Sequence, residues 1–134
     1  MLLICDFAEV INDKLYVQGG GIDRVVADVP VSLSLAVVVP VSWNDTNRRQ
    51  NIRLELRTSD GHPYPPGPDD PGTGPGAVVE GSYEVGRPPG SAPGMSFLAK
   101  LAIRLPFMIY ARGTYEWRLV IEDQSTDIAH IIAG

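Results

Sequence analysis

Asn51-Ile52-Arg53-Leu54-Glu55-Leu56-Arg57-Thr58 places an apolar residue at every second position and a charged one between. A period of two puts Ile52, Leu54 and Leu56 on one face of an extended chain and Arg53, Glu55 and Arg57 on the other. The stretch therefore predicts a strand with one dry and one wet face. The pattern recurs on both sides of it. Val31, Leu33, Leu35, Val37 and Val39 form an inward row with Ser32 and Ser34 opposite, closed by Pro40. Phe97, Ala99, Leu101, Ile103 and Leu105 form another, stopped by Pro106. Tyr115, Trp117, Leu119 and Ile121 alternate with Glu116, Arg118, Val120 and Glu122.

Near the start, Met1 to Ile11 and Leu15 to Gln18 flank Asn12-Asp13-Lys14, whose side chains tolerate the left-handed backbone of a tight turn, so a hairpin is expected. Val79, Gly81, Tyr83 and Val85 supply a weaker strand, and Ile128 to Ile132 a terminal one. No long stretch free of proline and glycine carries a helical period. Short strands of this kind close their faces against one another, which predicts an all-β, antiparallel sandwich of about seven or eight strands.

Two segments break the pattern. Ser59 to Gly76 holds eleven Pro or Gly in eighteen residues and Gly86 to Gly94 six in nine, so 59–76 and 86–94 read as loops. Both lie between consecutive strands, and residues 1–134 are expected to form one domain with one core, as the chain length suits. Pro63-Tyr64-Pro65-Pro66-Gly67-Pro68 favours extended polyproline geometry and contains overlapping PxxP, although a stiff solvated loop explains it without a partner.

A net charge of -5 with 20% charged residues makes a mildly acidic surface that repels nucleic acid and anionic lipid. One cysteine, Cys5, allows no intramolecular disulfide, so a cytoplasmic protein is the simplest reading. The apolar run at Leu2-Leu3-Ile4 has no basic start and ends at Asp6, so neither a signal sequence nor a membrane span is expected from it. Asn44-Asp45-Thr46 matches a glycosylation sequon, which has meaning only for a secreted chain.

Residues suited to catalysis are scattered. Gly19-Gly20-Gly21 is the one glycine cluster, but no Lys-Ser/Thr follows it and Arg24 fills the last glycine of a GxGxxG reading, so a bulge at the end of a hairpin strand is expected. His62 falls in the proline-rich loop, His130 in the terminal strand and Cys5 in the first strand at a position expected to be buried, which makes no ligand or nucleophile spacing. Asp60, Asp69 and Asp70 lack the alternate positions of a calcium loop. No cofactor, no metal and no enzymatic activity are expected.

Trp43-Asn44-Asp45-Thr46-Asn47-Arg48-Arg49-Gln50 is the loop best suited to contact a partner, because Trp43 offers a stacking face and Arg48 and Arg49 offer guanidinium forks. The alternative places Trp43 over the sandwich end as a lid with both arginines solvated. Arg48 and Arg49, with Arg24 and Arg53, make too narrow a basic stripe for nucleic acid.

Gly113-Thr114-Tyr115-Glu116-Trp117-Arg118-Leu119 resembles the tyrosine corner of immunoglobulin-like sandwiches. Trp117 stands where antibody domains carry their second cysteine and Ala111 replaces the usual aspartate, departures that weigh against the specific corner hydrogen bond but not against the strand. With Cys5-Asp6-Phe7-Ala8-Glu9-Val10 and the run Asn12 to Arg24, this stretch resembles a family of uncharacterised small bacterial proteins. The resemblance implies a bacterial single-domain β-sandwich with no established activity and no functional residues to carry over.

The leading expectation is a non-enzymatic protein that binds a protein partner or itself through the Trp43 to Gln50 loop and one or more sheet edges, with the N- and C-terminal strands as edge candidates. The second is a structural subunit of a phage-derived or other repeating assembly. The third is small-molecule or carbohydrate binding, or dispersed hydrolytic chemistry, through Trp43, Tyr64, Tyr83 and Tyr110.

Overall fold

The computed structural model describes residues 1–61, 78–107, 109 and 111–134. Its strands are β1 (Leu2–Ile11), β2 (Lys14–Gly20), β3 (Arg24–Val25), β4 (Val31–Val41), β5 (Gln50–Thr58), β6 (Val78–Tyr83), β7 (Phe97–Phe107), β8 (Gly113–Ile121) and β9 (Gln124–Ala133), with a short 3-10 turn at Trp43–Asp45. They form a four-stranded sheet in the order β2-β1-β4-β7 and a five-stranded sheet in the order β3-β9-β8-β5-β6. The chain is all-β, and its two sheets share one core.

The alternating rows read from the sequence supply that core. Leu33, Leu35, Val37 and Val39 from β4 and Ile4 from β1 meet Ile52, Leu54 and Leu56 from β5 and Tyr115, Trp117 and Leu119 from β8. Each fully buried Leu or Ile contributes roughly 1.5–3 kcal/mol, so these rows outweigh the weak pairing of any single strand. The sheets are also tied at one end, where the Leu2 N–H donates to Asp127 Oδ2 at 2.8 Å.

Several expectations need correction. The N- and C-terminal strands are sheet edges in part and not along their whole length: β1 pairs with β4 over Leu2 to Cys5 and with β2 from Cys5 to Ile11, and β9 is flanked by β3 only at Ile132 and Ala133. The cover is local, because β2 turns back onto one side of β1, and only Arg24 and Val25 run alongside Ile132 and Ala133. That last pairing is parallel, an exception to the antiparallel rule of the other ladders. The hairpin turn is Asn12-Asp13 alone, both at positive φ (49° and 60°), and Lys14 already pairs with Ile11. A second turn of this kind, at Glu122-Asp123 (47° and 63°), joins β8 to β9.

The glycine cluster carries no inserted residue either. Cys5 pairs with Gly20 and Phe7 with Gln18 in one unbroken register, while the intervening Asp6–Gly19 pair is missing from the ladder. Gly19 has φ +61°, and a Cβ there would lie 2.1 Å from Asp6 Oδ2. Glycine is therefore required by both backbone and space. Finally, the corner hydrogen bond forms despite the missing aspartate: Tyr115 OH donates to the Ala111 carbonyl at 2.7 Å. A backbone acceptor does not depend on the side chain at 111.

Candidate protein-binding surface

Beyond Cys5, β1 leaves β4 and pairs with β2 only, so the distal hairpin is a two-stranded ribbon. It bends at Asp6 and Gly19 and folds over the outer face of the four-stranded sheet. Small side chains allow the close approach: Cys5, Ala8 and Ala36 are buried together, with Leu3, Leu15 and Ala102 packed around them. At the tip, the Lys100 ammonium of β7 lies 2.9 Å from the Asp13 carboxylate and donates to the Asp13 carbonyl at 2.6 Å. The hairpin thus reaches across β4 to a strand that is not its neighbour in the sheet.

The ribbon's outer side sets three large apolar residues beside Glu9, Lys14 and Gln18, all open to solvent. Tyr16 is 50% exposed, Ile11 46% and Phe7 38%, and the flanks of Val10 and Val17 are also open. Such clustering on one projecting element differs from surface hydrophobes scattered singly. Its free edge is also poorly guarded. Among the edges, β7 carries Lys100 and Arg104, β6 carries Glu80, β3 is two residues long and the open stretch of β9 before Ile132 carries Asp127 and His130, whereas β2 has only Lys14 at its start. Charge, proline and shortness are what keep edges from pairing, and β2 has least of them.

Trp43, Arg48 and Arg49 part company. Trp43 is half-buried in the 3-10 turn, held between Arg87, whose guanidinium sits 3.8 Å from the ring centroid, and Phe97 at 6.5 Å. Arg87 also donates to Thr46 Oγ1 at 2.6 Å and to the Trp43 carbonyl at 3.0 Å, so the 86–94 loop is pinned over the indole. Arg48 and Arg49 are exposed and line a separate recess with Gln50, Tyr83 and Glu122, Arg48 facing Asp45 at 3.8 Å. Reasoning from sequence missed Arg87, whose loop reads as solvated filler. It also missed Tyr16 and Phe7, which read as ordinary strand residues.

A broad cleft of about 700 Å³ opens between the ends of β6 and β7, lined by Tyr83, Arg87, Phe97, Leu101, Lys100 and Asp13 among others. Burial raises the Tyr83 hydroxyl pKa above its usual value, helped by the charges of Asp45 and Glu122, so Tyr83 stays a neutral donor at physiological pH. Burial, followed by the Asp6 charge, likewise raises the Cys5 thiol, which donates to the Ser34 carbonyl at 3.4 Å. A thiol held protonated and covered is a poor nucleophile.

The outer face of the other sheet is ionic. Glu55 accepts from Arg53 at 2.5 Å and from Arg57 at 2.8 Å, and Glu116 accepts from Arg118 at 2.7 Å. Burial pushes the Glu55 carboxyl up, yet the hydrogen bonds and charges of Arg57 and Arg53 outweigh it and hold the pKa below the usual range. His130 stands exposed on β9 opposite Glu116, and Asp60 accepts from the Thr58 hydroxyl. His62, Tyr64, Asp69, Asp70 and Tyr110 lie outside the described residues. Among the described residues there is no group of three or more His, Cys, Asp or Glu placed to hold a metal ion, and no helix long and apolar enough to cross a membrane.

A family model matches residues 1–133, the whole length over which the two sheets extend. The chain belongs to the family of unknown function DUF6941. No curated protein and no solved structure matches it. Its membership therefore covers both the hairpin and the Trp43 end of the sandwich without assigning a role to either.

Proposed function

We propose that this DUF6941 protein is a non-enzymatic β-sandwich that binds a protein surface through its β1–β2 hairpin. The observation that carries the reading is the cluster of exposed Phe7, Ile11 and Tyr16 on a ribbon whose β2 edge is nearly unguarded. Aromatic side chains at such a place supply contact area at low entropic cost. Arg48 and Arg49, exposed at the sandwich end, remain available as a secondary contact, while Trp43 is already engaged by Arg87.

Other features support the remaining parts of the reading. The arginines at 53, 57 and 118 are paired with Glu55, Asp123 and Glu116, which suits a protein partner better than a nucleic acid. The single cysteine, free and buried, suits a reducing, cytoplasmic setting. The Tyr115 to Ala111 bond at the entry to β8 supports an immunoglobulin-like character for the sandwich. A subunit of a repeating assembly is the second reading, favoured by the β6–β7 cleft, which gives the molecule another recess for a neighbouring copy.

Native mass spectrometry on protein purified gently from its own cells tests the proposal. The wild type should retain a defined complex that Tyr16→Lys loses and that Arg53→Ala keeps. A complex unaffected by Tyr16→Lys, or a bare wild-type monomer carrying a stoichiometric small molecule, overturns it.

A further inference from the structure

Resting on that reading of the hairpin, we propose that the β2 edge pairs antiparallel with the β2 edge of a second copy of the chain across a two-fold axis centred on Tyr16. The ribbon beyond Cys5 has two free edges, and charge chooses between them. The distal half of β1 carries Asp6 and Glu9, so antiparallel self-pairing there would concentrate four carboxylates along one short seam and oppose two of them directly if centred on Glu9. β2 carries Lys14 alone, at its end.

Geometry fixes the register. Extended backbone in β2 runs from Lys14 until Gly19 turns to φ +61°, so the pairing segment is Lys14 to Gln18 and its middle residue is Tyr16. Centred there, Tyr16 faces its own copy, Leu15 faces Val17, and Lys14 faces the uncharged Gln18. Every position meets an acceptable neighbour, as an isologous interface demands. The two ribbons become one four-stranded ribbon, and Phe7, Ile11 and Tyr16 of both copies come onto one face, interleaved with Glu9, Lys14 and Gln18. Tyr16 is half exposed, so its substitution leaves the core of the protomer untouched.

Directly opposed residues of an antiparallel pair have Cβ atoms about 4.5–5.5 Å apart, close enough for a disulfide after a small adjustment. The full-length Tyr16→Cys protein should therefore form a covalent dimer under mild oxidation, whereas Ile128→Cys, exposed on the other sheet, should not. Cys5 is buried and serves as an internal control for unfolding. Sedimentation of the wild type should show a concentration-dependent dimer, and Tyr16→Lys should weaken it by about tenfold or more, since it sets like charges opposite each other. A wild-type monomer at all concentrations, or equal cross-linking of Tyr16→Cys and Ile128→Cys, overturns the self-pairing. If the monomer nevertheless holds a different protein at Tyr16 in the native spectra, the hairpin reading stands and only the second copy is rejected. If Tyr16→Lys changes neither association nor retained complexes, both fall.

Discussion

Lys100 on β7 and Asp13 at the hairpin turn are joined twice, by a carboxylate contact of 2.9 Å and a bond to the carbonyl of 2.6 Å, although β7 neighbours neither strand of the hairpin in the sheet. This contact latches the folded-over hairpin. Asp13 is largely exposed, so the ionic part is modest, but the Lys100 stem lies against protein and adds packing. Lys100→Ala should cost about 1 kcal/mol and speed hydrogen exchange in residues 6–18 ahead of the rest of the sheet. Uniform exchange across both sheets would show that the hairpin is held by other contacts.

The bend depends on Asp6 and Gly19. Gly19→Ala meets both a left-handed backbone and the Asp6 carboxylate, and should destabilise the protein by about 1–3 kcal/mol. Asp6→Ala in the same chain relieves the clash and not the backbone strain. Chemical denaturation of the two single variants and the double variant should therefore show partial recovery. Full additivity would place Asp6 away from Gly19.

Arg87→Ala should uncover the Trp43 indole. The lost stacking is worth about 0.5–1 kcal/mol at a site this exposed, and acrylamide should quench Trp43 fluorescence more strongly, Trp117 being buried in the core. Unchanged quenching would mean that Arg87 does not cover the ring in solution.

Tyr115→Phe removes the hydroxyl that donates to Ala111 and leaves the ring in the core. A loss of about 1 kcal/mol in denaturation is expected, with no change in hairpin exchange. No measurable loss would show that solvent serves the Ala111 carbonyl equally well.

The Glu55 carboxyl sits between Arg53 and Arg57 with its folded pKa held below the unfolded value. The unfolded chain therefore binds the proton more readily, and the stabilisation is present above the ordinary glutamate pKa. It is lost as pH falls through the lower, folded value. The Tm advantage of the wild type over Glu55→Gln should be greatest near neutral pH and shrink on acidification below the ordinary glutamate range. An advantage that grows with acid would reverse the assigned sign.

The rows at Val31 to Val39, Asn51 to Thr58 and Tyr115 to Ile121 are legible in the sequence because burial imposes a period of two, and Asn12-Asp13 is legible because both residues accept a left-handed backbone. Glu122-Asp123 does the same job illegibly, since glutamate carries no such preference. The folded-over hairpin is hidden for another reason. It depends on Ala8, Ala36 and Ala102, small residues on three different strands whose meeting no local pattern reports. Arg87 is hidden likewise, its partner Trp43 lying far away in sequence and its surroundings reading as a proline-rich loop.

The most direct test of the hairpin as the binding surface is in-cell photo-cross-linking with a benzophenone side chain placed in turn at Phe7, Tyr16, Arg48 and Ile128. Defined products from Phe7 and Tyr16, with none from Ile128, are the predicted result. Products from Arg48 or Ile128 while the two hairpin positions stay silent would contradict the account.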